Sequence, residues 1–236
     1  TGDGKFTAKH SRLDTSNLVH WHNAVLNSHN NKRKFDKAIA SVSADKWFEY
    51  ENAQLDEVAL LEAWEDFGVD IRRHSESDDM TQSPGRWYHT EYTSAKTPLE
   101  KWDEVSEDDL KVAYHGCSIE CGARILREGL VTGPSATNSK MGVYFEGKPR
   151  VSSCMQYATH TISRSGILSS VIFEAMVDRS RGSTVHHQRV QPEDSFVITG
   201  FYTHVFRITD LYRKGYLGWF RVHESVFDFL ADKPFQ

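Results

Sequence analysis

Tyr114-His115-Gly116-Cys117, followed by Ile125-Leu126-Arg127-Glu128-Gly129-Leu130 and then Gly142-Val143-Tyr144-Phe145, is the stretch on which the fold turns. Leu110 to Tyr114 is an apolar run of strand length, and a His-Gly pair closes it. Glycine has no side chain to keep a ligand off its peptide, so a ligand could lie on Gly116 while His115 donates or accepts at its edge. Ser118 is placed to cap a helix that turns Ile119, Ala123 and Leu126 inward, and Gly129 ends it. An aromatic pair again follows a glycine at Gly142-Val143-Tyr144-Phe145. Two such sites on either side of a short helix have the look of two walls of a cleft.

Downstream, Val151, Met155, Ala158 and Ile162 mark one helical face, stopped at Gly166. Leu168 to Asp178 and Ser195 to Ile208 alternate with period two and read as long strands. Gly200 inside the second predicts a bulge or a close backbone approach. Leu217 to His223 supplies a last strand. Strands joined by short helices, without strict strand–crossover–strand alternation, predict an α+β domain.

Upstream, Asp36 to Phe48 carries a weak helical pattern. From Gln54 to Phe67 the pattern is stronger: Leu55, Val58, Leu61, Trp64 and Phe67 recur every third residue, with Leu60 widening the stripe. Residues 72–98 are polar and contain two prolines, Pro84 and Pro98, so they read as a long loop or linker. The chain is thus expected to divide into a mainly helical N-terminal region with linker, 1–98, and a second domain, 99–236. Thr1-Gly2-Asp3-Gly4 lacks an initiator methionine, as a processed product or the ordered part of a longer chain would.

Composition narrows the function classes. At 236 residues, with 39% hydrophobic and 12% aromatic content, the chain can bury a real core. The net charge is −5, and Lys32-Arg33-Lys34, read as a solvated turn, is the one basic run. A duplex-binding face is therefore not expected. The three cysteines, Cys117, Cys121 and Cys154, are odd in number and few, which favours an intracellular (cytoplasmic or nuclear), reducing compartment. Cys117 and Cys121 beside His115 lack a fourth zinc ligand, so they read as small residues of an inner helix face and no metal is expected. No apolar run reaches membrane-spanning length. Rossmann, Walker, nucleophile-elbow and His-Glu-x-x-His motifs are all missing.

The order of these pieces resembles the poly(ADP-ribose) polymerase-like branch of the ADP-ribosyltransferases, over roughly residues 110–210. In that family an apolar strand ends in His-Gly and a helix ends in Gly-Leu or Gly-Phe. A Gly-x-Tyr-Phe strand then leads into a Ser-containing helix with a second Tyr, matched here by Ser152-Ser153-Cys154-Met155-Gln156-Tyr157. The resemblance implies a split β-sheet domain that takes NAD as substrate without a Rossmann motif. It implies that Gly116 binds the nicotinamide carboxamide, that Tyr157 stacks on the ring with Tyr144 opposite, and that His115 holds the adenosine ribose. The chemistry implied is cleavage of the nicotinamide–ribose bond through an oxocarbenium-like transition state. The activity implied is NAD-dependent mono-ADP-ribosylation of a protein or nucleic-acid acceptor.

Two departures from the family pattern qualify this. The family's carboxamide-binding Ser falls on Cys154, with Ser153 one residue earlier. The Glu that opens a late strand in the family falls on Ser195, so Glu193 could serve as the catalytic carboxylate only through a bulge or register shift. These departures, and the aromatic-rich N-terminal half, support an alternative: a weak or inactive module with a structural, assembly or binding role, for instance decorating a viral particle or other large complex. Trp21, Trp47, Trp87 and Tyr92 are then candidate partner contacts. A relative of RNA 2′-phosphotransferases would need a basic cleft, for which only Arg124, Arg127 and Arg150 are nearby. Singly, Tyr144 and Tyr157 also read as ordinary strand and helix residues.

Overall fold

The computed structural model describes residues 32–77, 85–92, 105–130, 142–147, 154, 157–163, 165–185, 188–213 and 221–231. Among the described residues three helices come first: α1 (residues 32–39), α2 (Ala44–Asn52) and α3 (Glu57–Glu65). Strands β1 (His74–Glu76), β2 (Arg86–Glu91) and β3 (Leu110–Cys117) follow, then α4 (Ile119–Glu128), β4 (Val143–Gly147) and β5 (Thr159–Ile162). The long strand β6 (Ile167–Asp178) leads to β7 (Ser183–Val185), β8 (Gln188–Gln191) and the equally long β9 (Phe196–Arg207). Helix α5 (Ile208–Arg213), β10 (Arg221–Val222) and α6 (Glu224–Leu230) complete the order. The class is α+β, as strands joined by short helices without strict strand–crossover–strand alternation predict.

One sheet runs β1-β2-β9-β6-β3-β4-β8-β7, every neighbouring pair antiparallel. β5 joins β6, and β10 pairs with β5 in parallel. β6 and β9 are apolar on both sides because both faces of the sheet are covered. On one face Leu60 and Trp64 of α3, with Ile119 and Ala123 of α4, pack over Val171, Phe173, Phe201 and Val205. On the other, Phe35, Tyr50, Val226 and Leu230 cover Tyr114, Leu168, Ile172, Tyr202 and Phe206. Helices before residue 98 and strands after it share both cores.

Local chemistry sets the helix ends. Ser43, Asp56 and Ser118 each cap a helix by accepting a backbone N–H of its first turn. Ser43 also separates two helices where one weak pattern was expected, and Lys32-Arg33-Lys34 is helical, within α1, where a solvated turn was expected. The three-residue spacing in α3 is a poor guide to its buried face. Each step of three falls about 60° short of a full turn, so Val58 and Leu61 drift off the stripe. They are 59% and 39% exposed, while Ala59, Leu60, Ala63 and Trp64 are buried.

Three other stretches differ from the expected pattern. Within 72–98, read as a loop, β1 and β2 join the sheet, and all six residues of β2 pair with β9. Arg86-Trp87-Tyr88-His89-Thr90-Glu91 has the aromatic and β-branched content of a strand, masked by its polar flanks. Thr159 to Ile162 forms β5 instead of extending a helix from Val151, since Thr159 and Thr161 alternate with buried His160 and Ile162. Of the expected last strand from Leu217, β10 covers Arg221–Val222, and residues 214–220 lie outside the described set. The bulge expected at Gly200 is present, since the β6–β9 register shifts between Glu174 and Ala175, which pair with Gly200 and Ile198.

Trp64 ties the helical layer to the sheet: its indole Nε1 donates to Thr203 Oγ1 at 2.9 Å in a fully buried setting. Trp64→Phe keeps an aromatic ring but removes the indole N–H and part of its volume, orphaning that hydroxyl. It should lower unfolding free energy in urea by about 1–3 kcal/mol, while Val58→Ala on the exposed side should stay within about 0.5 kcal/mol.

Candidate functional site

His115 does not end its strand. β3 continues through Cys117, with His115 opposite Phe173 and Gly116 opposite Ile172 of β6. On the other side the β3–β4 ladder holds for Ala113↔Gly147 and Tyr114↔Glu146. Beyond that point β4 pairs with β8, Tyr144 opposite Val190. His115 bridges the divergence: its Nδ1 lies 2.9 Å from the Tyr144 carbonyl oxygen, and its ring packs edge-on to Phe145 at 6.0 Å. A carbonyl only accepts, so Nδ1 carries the proton and Nε2 is the acceptor of the neutral ring. Burial holds the imidazole below its ordinary pKa, opposed in part by the Tyr144 carbonyl, so it is mainly neutral at pH 7.

The cleft wall expected at Gly116 is covered. A Cβ built on Gly116 would run into the carbonyl of Cys154. That carbonyl accepts from the Tyr157 and Ala158 N–H groups, each at 3.0 Å, in a tight turn laid over β3. The Cys154 thiol is buried and donates to the Tyr114 carbonyl at 3.4 Å. Gly116 is therefore needed here for close approach of the chain to itself. Tyr157 is 43% exposed, and Ser153 lies outside the described residues. Tyr144 is half-buried, its hydroxyl shielded and without a hydrogen-bond partner among the described residues.

At the head of β9 lies Ser195, the residue that the resemblance sets at the Glu position, and it is 1% exposed. Its Oγ faces two acceptors, Gln191 Oε1 at 2.8 Å and the Pro192 carbonyl at 2.9 Å, and its backbone carbonyl takes the Asp178 N–H. Glu193 and Asp194 are exposed on the β8–β9 turn, with Asp194 gripped by both oxygens to Arg181 at 2.8 Å. A hydroxyl locked in this way offers no negative charge to an anomeric cation.

Two carboxylates escaped the sequence reading. Glu146, two residues after Tyr144, is 6% exposed and lies close enough to Cys154 to act on its thiol. Glu174 interrupts the apolar run of β6 and accepts from Thr199 Oγ1 at 3.2 Å and Tyr202 OH at 3.3 Å. The signal for both was a lone acid inside a run otherwise fit for burial.

Cysteine chemistry is disfavoured. Burial raises the Cys117 thiol well above its ordinary value and raises Cys154 strongly, with Glu146 adding to the latter. Neither is a ready thiolate. Cys117 closes β3, and Cys121 is exposed on α4, so the two do not share an inner helix face. Among the described residues no group of three or more His, Cys, Asp and Glu could hold a metal, and no helix is long and apolar enough to cross a membrane. Neither the protein-family models nor the curated proteins contain a match to this chain.

Of the aromatics expected to meet partners, Trp87 is buried and stacked on His204 at 4.3 Å, and Tyr92 donates its hydroxyl to the Leu126 carbonyl. Trp47 packs edge-on to Tyr212, and Trp21 lies outside the described residues. Arg124 and Arg127 are exposed on α4, Arg127 donating to the Phe67 carbonyl, and Arg150 lies outside the described residues.

Two measurements check this geometry. Gly116→Ala should cost about 1–3 kcal/mol through overpacking against Cys154, while Gly147→Ala, with open space at its Cβ, should be near neutral. The fold favours neutral His115, whose unfolded pKa is near 6.5 and whose folded pKa is lower. Its contribution is complete above about pH 6.5 and is lost as pH falls from there through the folded value. His115→Asn should therefore flatten the acid limb of stability against pH, and a wild-type His115 proton resonance should titrate below about 6.5.

Proposed function

We propose that this chain is an ADP-ribosyltransferase-like module of weak or no transferase activity, with a binding or assembly role. The order β3 with His115-Gly116, α4 ending at Gly129-Leu130, β4 with Tyr144, the Cys154–Tyr157 turn and long β9 supports the likeness. The observation that carries the loss of activity is Ser195. It is buried, neutral and engaged with Gln191 and Pro192 at the head of β9. The Cys154 carbonyl over Gly116 points the same way, because a nicotinamide could lie there only if that turn withdrew. Removing one such electrostatic group costs roughly 10²–10³ in rate.

The second reading, an active NAD-dependent mono-ADP-ribosyltransferase acting on a protein or nucleic-acid acceptor, is favoured by one feature. The Nδ1 proton of His115 is fixed on Tyr144, which leaves Nε2 to accept a ribose hydroxyl. Activity would further require Glu193 to turn in from its exposed position.

Labelled NAD at millimolar concentration, with mixed protein and nucleic-acid acceptors, separates the two. No labelled acceptor and no nicotinamide release above a protein-free blank is expected. Labelling that disappears in His115→Ala would establish the transferase instead.

A further inference from the structure

Three arginines gather where β6 ends and the β7–β8 hairpin begins. Asp178, 5% exposed, accepts the Ser180 N–H at 2.9 Å and the Ser180 hydroxyl at 2.6 Å, and the Arg179 N–H is held by the Asp109 carbonyl at 2.8 Å. The turn is thus fixed by its own bonds. Arg181 is neutralised by its two-oxygen pairing with Asp194.

Arg179 and Arg189 are not neutralised in this way. Arg189 is half-buried on β8, opposite Phe145 and Thr184, and donates through Nη2 to the Arg179 carbonyl at 2.7 Å. Its Nε is shielded from solvent and has no acceptor among the described residues. The exposed Arg179 has no ion-pair partner among the described residues. Burial first, and then the charge of Arg179, make the protonated form of Arg189 harder to hold, with Asp178 the one opposing influence. Like charges crowd here, and one N–H donor has been taken from water without replacement.

A planar guanidinium matches the paired oxygens of a phosphoryl group, and a second arginine beside it adds the charge to hold one. The chain's net charge of −5 makes this a local feature, not part of a general polyanion-binding surface. Phe145, opposite Arg189, has its ring 6.0 Å from that of His115, so the pair sits on the β8 side of the His115 wall.

We propose that Arg179 and Arg189 form an anion site for a phosphoryl group, on the scale of inorganic pyrophosphate or a nucleoside diphosphate. The site does not depend on NAD turnover.

Calorimetric titration of the whole chain with pyrophosphate, with ADP and with adenosine, at low and moderate salt, tests it. Pyrophosphate and ADP should bind and adenosine should not. ADP binding clearly tighter than pyrophosphate would mark a nucleotide as the source, and equal affinities a free anion. Arg179→Ala, on an exposed residue, should weaken binding about tenfold or more without moving the unliganded melting temperature. Arg189→Lys keeps the charge but loses the fork and should weaken it similarly. The proposal fails if neither anion binds up to about 10 mM. It also fails if Arg179→Ala binds like wild type, or if a long oligonucleotide binds while pyrophosphate does not.

Discussion

The antiparallel ladder between β6 and β9 is the constraint on which the rest of the structure depends. Both strands are twelve residues long, and their pairing runs from Ile167↔Arg207 to Val177↔Phe196. Every other sheet strand attaches to one of them directly or through a succession of neighbours. Because each carries apolar side chains on both faces, neither is stable until both faces are covered. That requirement recruits α3 and α4 to one face, and α1, α2, α5 and α6 to the other. The bulge beside Glu174 is the one break in the ladder, and it brings Gly200 under His89, whose Nε2 would lie 2.7 Å from a Cβ at that glycine. A Cβ there would displace the His89 ring and press on the Thr90 carbonyl at 3.0 Å.

The second organising event is the parting of β4 from β3. A backbone ladder stops after Tyr114↔Glu146, and a side chain takes over, His115 reaching the Tyr144 carbonyl. An imidazole is suited to this because it spans farther than an amide while still offering one N–H to a carbonyl. On the opposite face the gap is closed by the Cys154 turn pressing on Gly116. The same two residues that mark a ligand wall in the resembled family thus serve here to hold diverging strands and admit a crossing chain.

What could be read from the sequence followed the physics of each element. The apolar density of 168–178 and 195–208 located the two central strands, although both are buried on two faces and the period-two alternation read in them is not an inside–outside one. Ser118 and Gly129 bounded α4 correctly, since caps act locally. Strand β2 was hidden because its stability is supplied by β9, distant in sequence, and its flanks are polar. Val58 and Leu61 misled because periodicity reports an amphipathic pattern but not which edge of the stripe meets a neighbour. In the site, His115, Gly116 and Tyr144 were read as ligand-binding residues, whereas the contacts they make here, His115 to the Tyr144 carbonyl and Gly116 against Cys154, join residues too far apart in sequence to leave a local pattern. Ser195 could be placed at the head of its strand, yet its partners Gln191 and Pro192 could not, since the tight turn that joins them leaves no periodic trace. Glu174 and Glu146 were passed over because a single acid in a strand has no pattern of its own.

The Trp64–Thr203 hydrogen bond closes a separation of 139 residues, and β2 likewise waits for β9. On the ribosome this order has a consequence. The strand that belongs at the centre of the sheet is among the last to emerge, so β2 and β6 spend much of synthesis with bare edges and uncovered apolar faces. Such a chain has a high contact order, and its folding is correspondingly slow and open to intermolecular strand pairing. Recovery of native protein from a cell should thus be governed less by the final free energy than by how well those edges are shielded until β9 arrives.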